Sequence, residues 1–427
     1  GFTQCNDADG WIPDESGDHW SNRKCIILES NAVRSTLTNY TALINFSSSD
    51  LAGAQADGDD FVFTEHGSTS KLDHEIEGYT AGSDWLTSWV RIPSLSGSQD
   101  TRLWLYFNNT NATNQEDVFN TWDEDYQNVW HLADDYQDSR LANHGTNSGT
   151  VNSTKFIRGS DDFERDDSDS IELSGLTAHS DTDPHTYSVW FEFETTLGAS
   201  DTMVFIHNGD FVTSGNSLGT IDDTLVFLPE GANFSLRCNA ADDFQDGESH
   251  HLVMSWDGVD SAHCYIDGQF IETITSANTW PAANSNPRLG KWQSGSHAID
   301  GVMDEARIQT RSFDPTTNGT DFMFTEYCNQ VGNNTCAFVG LGNLVTNFTG
   351  GGGGGGGTLN QTLTDQVNYS DYVKTTLQDA LNQTLTDLTT FGDGIELTLT
   401  TVLETNMTDQ VSYSDYVGLT LQNNTDN

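Results

Sequence analysis

Basic residues are scarce. Lys and Arg together number 16 in 427 residues, against 64 Asp and Glu, for a formal net charge of −48. A chain so anionic repels nucleic-acid phosphates and anionic lipid head groups, which excludes both as natural partners. No run approaches the roughly 18 apolar residues that span a bilayer. No apolar signal segment opens the chain, and its first residue is Gly1 rather than Met, so it reads as a processed or trimmed product. Cys-x-x-Cys and Cys/His finger spacings are missing, which argues against zinc. Before the glycine run at 350, no amphipathic helical stretch of a dozen residues stands out.

Aromatic residues, by contrast, are plentiful: 11 Trp, 22 Phe and 12 Tyr can bury enough apolar area to offset the disorder that high charge favours. The carboxylates run from Asp7 to Asp426 rather than gathering in a tail. In molar salt the screening length shrinks to about 3 Å, so like-charge repulsion is removed while carboxylates stay hydrated. The composition therefore points to a halophilic source. It says where the protein works, not what it does.

The cysteines fall in sequence-near pairs, Cys5 with Cys25, Cys238 with Cys264 and Cys328 with Cys336, which reads as three disulfides in an oxidising compartment. N-x-S/T sequons begin at Asn39, Asn45, Asn108, Asn111, Asn152, Asn233, Asn318, Asn333, Asn347, Asn360, Asn368, Asn382, Asn406 and Asn423. Together these place the chain outside the cell, at a cell surface or on a virion.

Up to the glycine run the hydrophobic period is two. Arg102 to Phe107, Val189 to Glu194, Leu252 to Trp256 and Cys264 to Ile266 are short strand-like runs, the last two ended by Asp257-Gly258 and Asp267-Gly268 turns. Many short strands between Gly/Asp/Asn/Ser turns predict β-sandwiches. Gly350 to Gly357 form an uninterrupted glycine run, a linker. Beyond it the composition turns to Thr, Leu, Asn, Gln and Asp, and Thr364-Asp365-Gln366-Val367 to Val373 recurs 44 residues later as Thr408-Asp409-Gln410-Val411 to Val417. Leu377, Leu381, Leu385 and Leu388 follow an 11-residue period, so a helical, homo-oligomerising stalk over 358–427 is expected, interrupted at Phe391-Gly392-Asp393-Gly394. The competing readings take the segment as disordered or Ile395 to Leu399 as a strand.

Four motifs follow in order: Trp20-Ser21-Asn22-Arg23-Lys24, Asp57-Gly58-Asp59-Asp60-Phe61-Val62-Phe63-Thr64, Trp89-Val90-Arg91-Ile92-Pro93 and Leu103-Trp104-Leu105-Tyr106-Phe107-Asn108-Asn109. Through them residues 17–125 resemble domain of unknown function 2341, a module of archaeal and bacterial surface proteins. The family ends that last strand in Gly-Asn, so Asn108 is a departure. Residues 126–315 resemble the laminin-G-like, concanavalin-A-like jelly roll that follows this module. Here the motifs are Trp130-His131-Leu132, Asn143-His144-Gly145, Trp256-Asp257-Gly258, Tyr265-Ile266-Asp267-Gly268 and Gly301-Val302-Met303-Asp304-Glu305-Ala306-Arg307-Ile308. The expected layout is a β-sandwich module over 1–125, a jelly roll over 126–325, a disulfide knob and glycine linker over 326–357, and the repetitive segment over 358–427.

The resemblance implies a calcium ion held by Asp138, Asn143 and Asp304 with backbone carbonyls. Some jelly rolls are glycoside hydrolases with acids alternating along one strand; Glu192 and Glu194 supply two, but Trp190 stands where the third belongs. Gly215-Asn216-Ser217-Leu218-Gly219 spells a nucleophile elbow outside its strand–helix context. His250 and His251 point to opposite faces and do not chelate one metal. Trp280 and Trp292, in polar loop sequence, are the candidate sugar platforms. The reading that unites these is a non-enzymatic extracellular adhesion or structural protein recognising glycans or neighbouring subunits. The alternative is a secreted carbohydrate-active hydrolase with a lectin-like domain.

Overall fold

The computed structural model describes Cys5 and residues 20–346, except 133–134, 167, 195–201, 210–214, 222–223, 230–234, 240–243, 245, 280–285, 293–296 and 332–335, plus six strands between 362 and 421. The chain divides into two units, 1–348 and 349–427.

In the first unit, β1 (Asn22–Leu28), β2 (Leu37–Ser47), β3 (Val62–Glu65), β4 (His74–Thr80), β5 (Trp85–Leu95) and β6 (Thr101–Phe107) form a sandwich. After α1 (Val118–Thr121) come β7 (Tyr126–Trp130), β8 (Gly145–Ser148), β9 (Val151–Ser153), β10 (Ser160–Phe163) and β11 (Ser170–Leu173). They are followed by β12 (His185–Phe193), β13 (Thr202–Gly209), β14 (Gly215–Ile221), β15 (Thr224–Pro229) and β16 (Leu236–Cys238). The jelly roll closes with β17 (Ser249–Trp256), β18 (Ser261–Ile266), β19 (Gln269–Thr275), β20 (Arg288–Leu289) and β21 (Gly301–Gln309). Its eight-stranded sheet runs β19-β18-β17-β12-β21-β10-β9 with β7 on β21, and its seven-stranded sheet runs β16-β15-β14-β13-β20-β11-β8. Between them lies an apolar core that includes Phe163, Val189, Phe191, Phe205, Phe227 and Met303.

The turn signals carry through. Asp267 and Gly268 both take positive φ (51° and 69°) between the paired Ile266 and Gln269, the twist that a two-residue hairpin needs. Asn108 has φ 63°, which accounts for its standing where the related family has Gly: Asn tolerates the left-handed region better than other side chains. Disulfides join Cys5 to Cys25, Cys328 to Cys336, and Cys238 to Cys264, the last tying β16 of one jelly-roll sheet to β18 of the other.

One expectation about the head needs correction. Residues 326–346 are not a knob and linker. The chain leaves the jelly roll through α2 (Gly319–Gln330), and β22 (Val339–Thr346) then returns to pair with β1, completing the sheet β22-β1-β6-β3 that faces β2-β5-β4. The first module is therefore built from both ends of the unit. The twelve-residue helix α2 is not amphipathic: Thr325, Glu326, Asn329 and Gln330 are buried, so it shows no clean solvent face. Asn329 donates to the Leu43 carbonyl (2.8 Å) and accepts from its N–H (2.7 Å) on the open edge of β2. Trp190 donates to Gln330 (2.5 Å). Val253 and Tyr265, on the outer face of the eight-stranded sheet, belong to the same apolar cluster as Phe322 and Met323 of α2 and the first module's Leu105 and Phe107.

In the second unit the described segments are strands, not the expected helix. β23 (Thr362–Asp365), β25 (Thr384–Asp387) and β27 (Asn406–Asp409) pair in parallel, as do β24 (Val373–Leu377), β26 (Gly394–Leu399) and β28 (Tyr416–Leu421). Thr362 aligns with Thr384 and Thr384 with Asn406, steps of 22 residues, so each 44-residue repeat is two parallel rungs. The Thr-Leu-Thr alternation at 362–364 and 384–386 suits a strand, and the leucine spacing alone does not enforce a helix.

Inside the jelly roll His179 and His185 stack with ring centroids 4.6 Å apart. His185 Nδ1 lies 2.7 Å from the Asp183 carbonyl, and its Nε2 lies 2.9 Å from the Asn216 amide nitrogen, the partners of a neutral ring. Burial lowers both pKa values from 6.5, to about 4 for His179 and about 3 for His185. The stability tied to neutrality is fully present above pH 6.5 and is lost as pH falls toward 4. Denaturant titrations across that interval should show a slope reduced by about 1.4 kcal/mol per pH unit in His185→Gln. Parallel slopes would show that the ring is not held neutral.

Candidate functional site

The two modules meet at a buried polar junction. β4 supplies Glu75 and Glu77, β5 supplies Trp89, and Trp122 follows α1. His131 follows β7, β21 supplies Asp304, Glu305 and Arg307, and α2 supplies Glu326. The Arg307 guanidinium donates to Glu305 Oε2 from Nη2 (2.5 Å) and Nε (3.2 Å), and to Glu326 Oε1 from Nη1 (2.8 Å). Its carbon lies 4.6 Å from the Trp89 ring and 4.9 Å from the Trp122 ring. A planar, weakly hydrated cation suits this slot, where ring faces and carboxylates replace water.

His131 stands beside it. Its Nδ1 lies 2.6 Å from Glu305 Oε1 and 3.9 Å from Glu77 Oε2, its Nε2 lies 3.4 Å from Glu75 Oε2, and its ring stacks on Trp89 at 5.4 Å. Trp122 Nε1 (2.7 Å) and the Ser139 hydroxyl (2.7 Å) donate to Glu75, and Trp89 Nε1 (2.9 Å) donates to Glu77. Glu305 reaches inward because β21 bulges there: Ser188 pairs with Arg307 but Trp190 with Asp304, and Glu305 takes φ 50°. A non-glycine residue in that region costs about 1–3 kcal/mol, which the surrounding contacts must offset.

Burial alone would depress His131, but Glu305 and Glu75 outweigh it and hold its pKa well above 6.5. Burial pushes Glu77 up to about 7. It also drives Asp304 well above the carboxylate range, reinforced by Glu305 and Glu77. For Glu305 burial is outweighed by His131 and Arg307, and its pKa falls. With the His131, Glu77 and Glu305 side chains 9%, 4% and 1% exposed, the junction holds charge and is closed to a sugar-sized substrate.

Of the residues expected to bind calcium, only Asp304 lies here. Asp138 accepts from the Asn128 side chain (2.7 Å) and from the backbone N–H groups of Val129 (3.0 Å), Arg140 (3.0 Å), Ala142 (3.3 Å) and Asn143 (3.0 Å). Those donors fill its carboxylate, so it shapes a turn and has no lone pair left for a cation. The Asn143 carbonyl accepts from Trp130 Nε1 (3.0 Å).

Glu192 is ion-paired with Lys155 and accepts from Ser249 (2.9 Å), and Glu194 lies 3.8 Å from Lys155. Trp190 stacks between His251 (5.4 Å) and Tyr327 (5.7 Å) beneath α2. The Gly215–Gly219 motif lies on β14, with Ser217 buried against His207 (3.1 Å), so it is no elbow. His250 meets Asp267 (2.7 Å) and Asp246 (3.1 Å), away from buried His251. Trp292 is half-buried, with His297 at a centroid distance of 4.0 Å, beside Val204, Val226 and Leu228 on the outer face of the seven-stranded sheet. Trp280 lies outside the described residues. Among the sequons Asn39, Asn111, Asn152 and Asn318 are exposed and Asn108 is half-buried. Asn45 is held by Trp85 Nε1 (2.6 Å) and the Thr87 hydroxyl (3.2 Å). Asn233, Asn333, Asn347, Asn360, Asn368, Asn382 and Asn423 lie outside the described residues, and of Asn406 only the backbone is described.

Removing the junction's cation strands two buried carboxylates. Arg307→Met should cost about 3–5 kcal/mol in urea unfolding, and adding Glu305→Gln and Glu326→Gln should recover much of that loss. A loss below about 1 kcal/mol would place the pair in the weak class of exposed ion pairs.

No curated protein matches the chain. Among solved structures it is similar to domain 4 of AbnA, an extracellular arabinanase from Geobacillus stearothermophilus in complex with arabinotriose, at 18% identity over 46% of this chain and 98% of that one (TM-score 0.37). It is also similar to the binding domain of Paraclostridial Mosquitocidal Protein 1, at 15% identity over 50% of this chain and 54% of that one (TM-score 0.40). A third is the binding domain of botulinum neurotoxin DC in complex with SialylT, at 12% identity over 49% of this chain and 52% of that one (TM-score 0.37). The chain spans about half the length of the two toxin domains. Two family models match it in the order that the motifs imply. Residues 57–145 match the model of the domain of unknown function DUF2341, and residues 165–317 match that of the concanavalin A-like lectin/glucanases superfamily.

Proposed function

We propose that residues 1–348 are the non-enzymatic, carbohydrate-recognising head of an extracellular or surface protein from a high-salt environment. The observation that carries this reading is the concanavalin A-like lectin/glucanase match over the jelly roll, 165–317. Two structural features support recognition over hydrolysis. Lys155 is ion-paired with Glu192 on β12 and lies 3.8 Å from Glu194 just after that strand, and the third position holds the buried Trp190. A glycosidase needs one carboxylic acid and one free carboxylate facing each other across the sugar. Three disulfides support a location outside the reducing cytoplasm, and the net charge of −48 supports a brine-adapted surface.

The sugar platform in this reading is Trp292. It overlies an apolar patch on the outer sheet face, where an aromatic ring with polar neighbours can stack on a pyranose. The full chain applied to a glycan array in molar KCl is expected to retain a defined set of glycans. Trp292→Ala should weaken that binding at least about tenfold, the loss of one anchoring side chain, with an unchanged thermal midpoint. Absence of glycan binding, or binding indifferent to Trp292→Ala, contradicts the platform. Polysaccharide hydrolysis abolished by Glu192→Gln would favour the hydrolase instead.

A further inference from the structure

Five carboxylates (Glu75, Glu77, Asp304, Glu305 and Glu326) line the junction with one guanidinium, Arg307, and one imidazole, His131. Burying ions away from water is costly unless opposite charge compensates. Arg307 is spent on Glu305 Oε2 and Glu326 Oε1. Three buried carboxylate oxygens here, Glu77 Oε1, Asp304 Oδ2 and Glu326 Oε2, and His131 Nε2 have no hydrogen-bond partner, and the Glu77 side chain is 4% exposed. One ligand atom each from Glu77, His131 and Glu305 lies within 4.8 Å of the others.

We propose that Glu77, His131 and Glu305 bind one divalent first-row transition ion, with zinc the best fit, and that this ion ties the two modules together. Metal–ligand bonds of about 2.0–2.2 Å place tetrahedral ligands roughly 3.4 Å apart. The His131 Nδ1 separations of 2.6 Å from Glu305 and 3.9 Å from Glu77 bracket that value, so small side-chain rotations close the shell. Surrounding groups are already placed to orient it. Metal-bound histidine characteristically donates its other ring N–H to a carboxylate, and here Nε2 faces Glu75 at 3.4 Å. Arg307 holds Glu305 at Oε2, the oxygen away from His131, and Trp89 Nε1 fixes the Glu77 carboxylate at Oε2. An imidazole with two carboxylates is too nitrogenous and too small a donor set for calcium, which takes six to eight oxygens, and suits zinc-class ions. Asp304 or a water completes the fourth position. The proposal stands apart from glycan recognition, since it concerns the junction and not Trp292.

Because the site is closed, loading is tested on the full chain, unfolded, stripped with chelator and refolded in molar KCl with Zn²⁺ or Co²⁺. Wild type should retain about one ion per chain after gel filtration, with a raised thermal midpoint. X-ray absorption of the zinc form should show one imidazole among oxygen donors. Glu77→Gln should weaken binding at least about tenfold, and Glu75→Gln about 10–100-fold through the ring it orients, while Glu194→Gln leaves binding unchanged. If a variant fails to refold, the imidazole signature in wild type decides. Natively refolded wild type holding no ion, an ion coordinated without imidazole, or affinity unchanged in Glu77→Gln would each overturn the proposal.

Discussion

The head depends on how charge is kept away from water at one place. Arg307 lies between two indole rings and two glutamates, far from solvent, and its partners come from four places in the chain: β21 itself, β5, the segment after α1, and α2. A buried ion pair of this kind is weak evidence for net stability, because desolvation offsets most of the attraction. Its geometry is nonetheless demanding. Misplacing any element leaves a guanidinium or a carboxylate stranded, so the junction penalises every arrangement of the modules but one. The apolar contacts of Phe322, Met323, Val253 and Tyr265 supply the attraction, and the polar cluster supplies the register.

That division of labour explains what the sequence could and could not reveal. The strand around Leu103–Phe107, the Asp267-Gly268 hairpin and the closing strand at 301–309 were legible because alternation and turn chemistry are local. The return of β22 to β1 was not, since Asn22 and Thr346 pair across almost the whole unit. Helix α2 was missed because Glu326, Asn329 and Gln330 look like a solvent face and are instead matched one by one to Arg307, Leu43 and Trp190.

The site shows the same limit. Asp304 was singled out from its motif, while the neighbouring Glu305 carries the geometry. The signal available was alternation, which puts Glu305 and Arg307 on one strand face. The bulge that turns Glu305 inward, and its meeting with His131 across 174 residues, left no trace in local pattern. Among 64 acidic residues, the few that are buried cannot be told from the solvated majority by composition. The repeat beyond the glycine run was found at 44 residues because its two most similar rungs are that far apart, with a diverged rung between them.

A rigid head has a functional meaning. A jelly roll whose outer face is covered by a second module, a helix and a shared apolar cluster presents its remaining surface at a fixed angle. Differential scanning calorimetry of residues 1–348 in molar KCl tests this most directly. The account predicts one transition whose calorimetric and van't Hoff enthalpies agree, because neither module keeps its core without the other. Two separated transitions, one for each module, would contradict it.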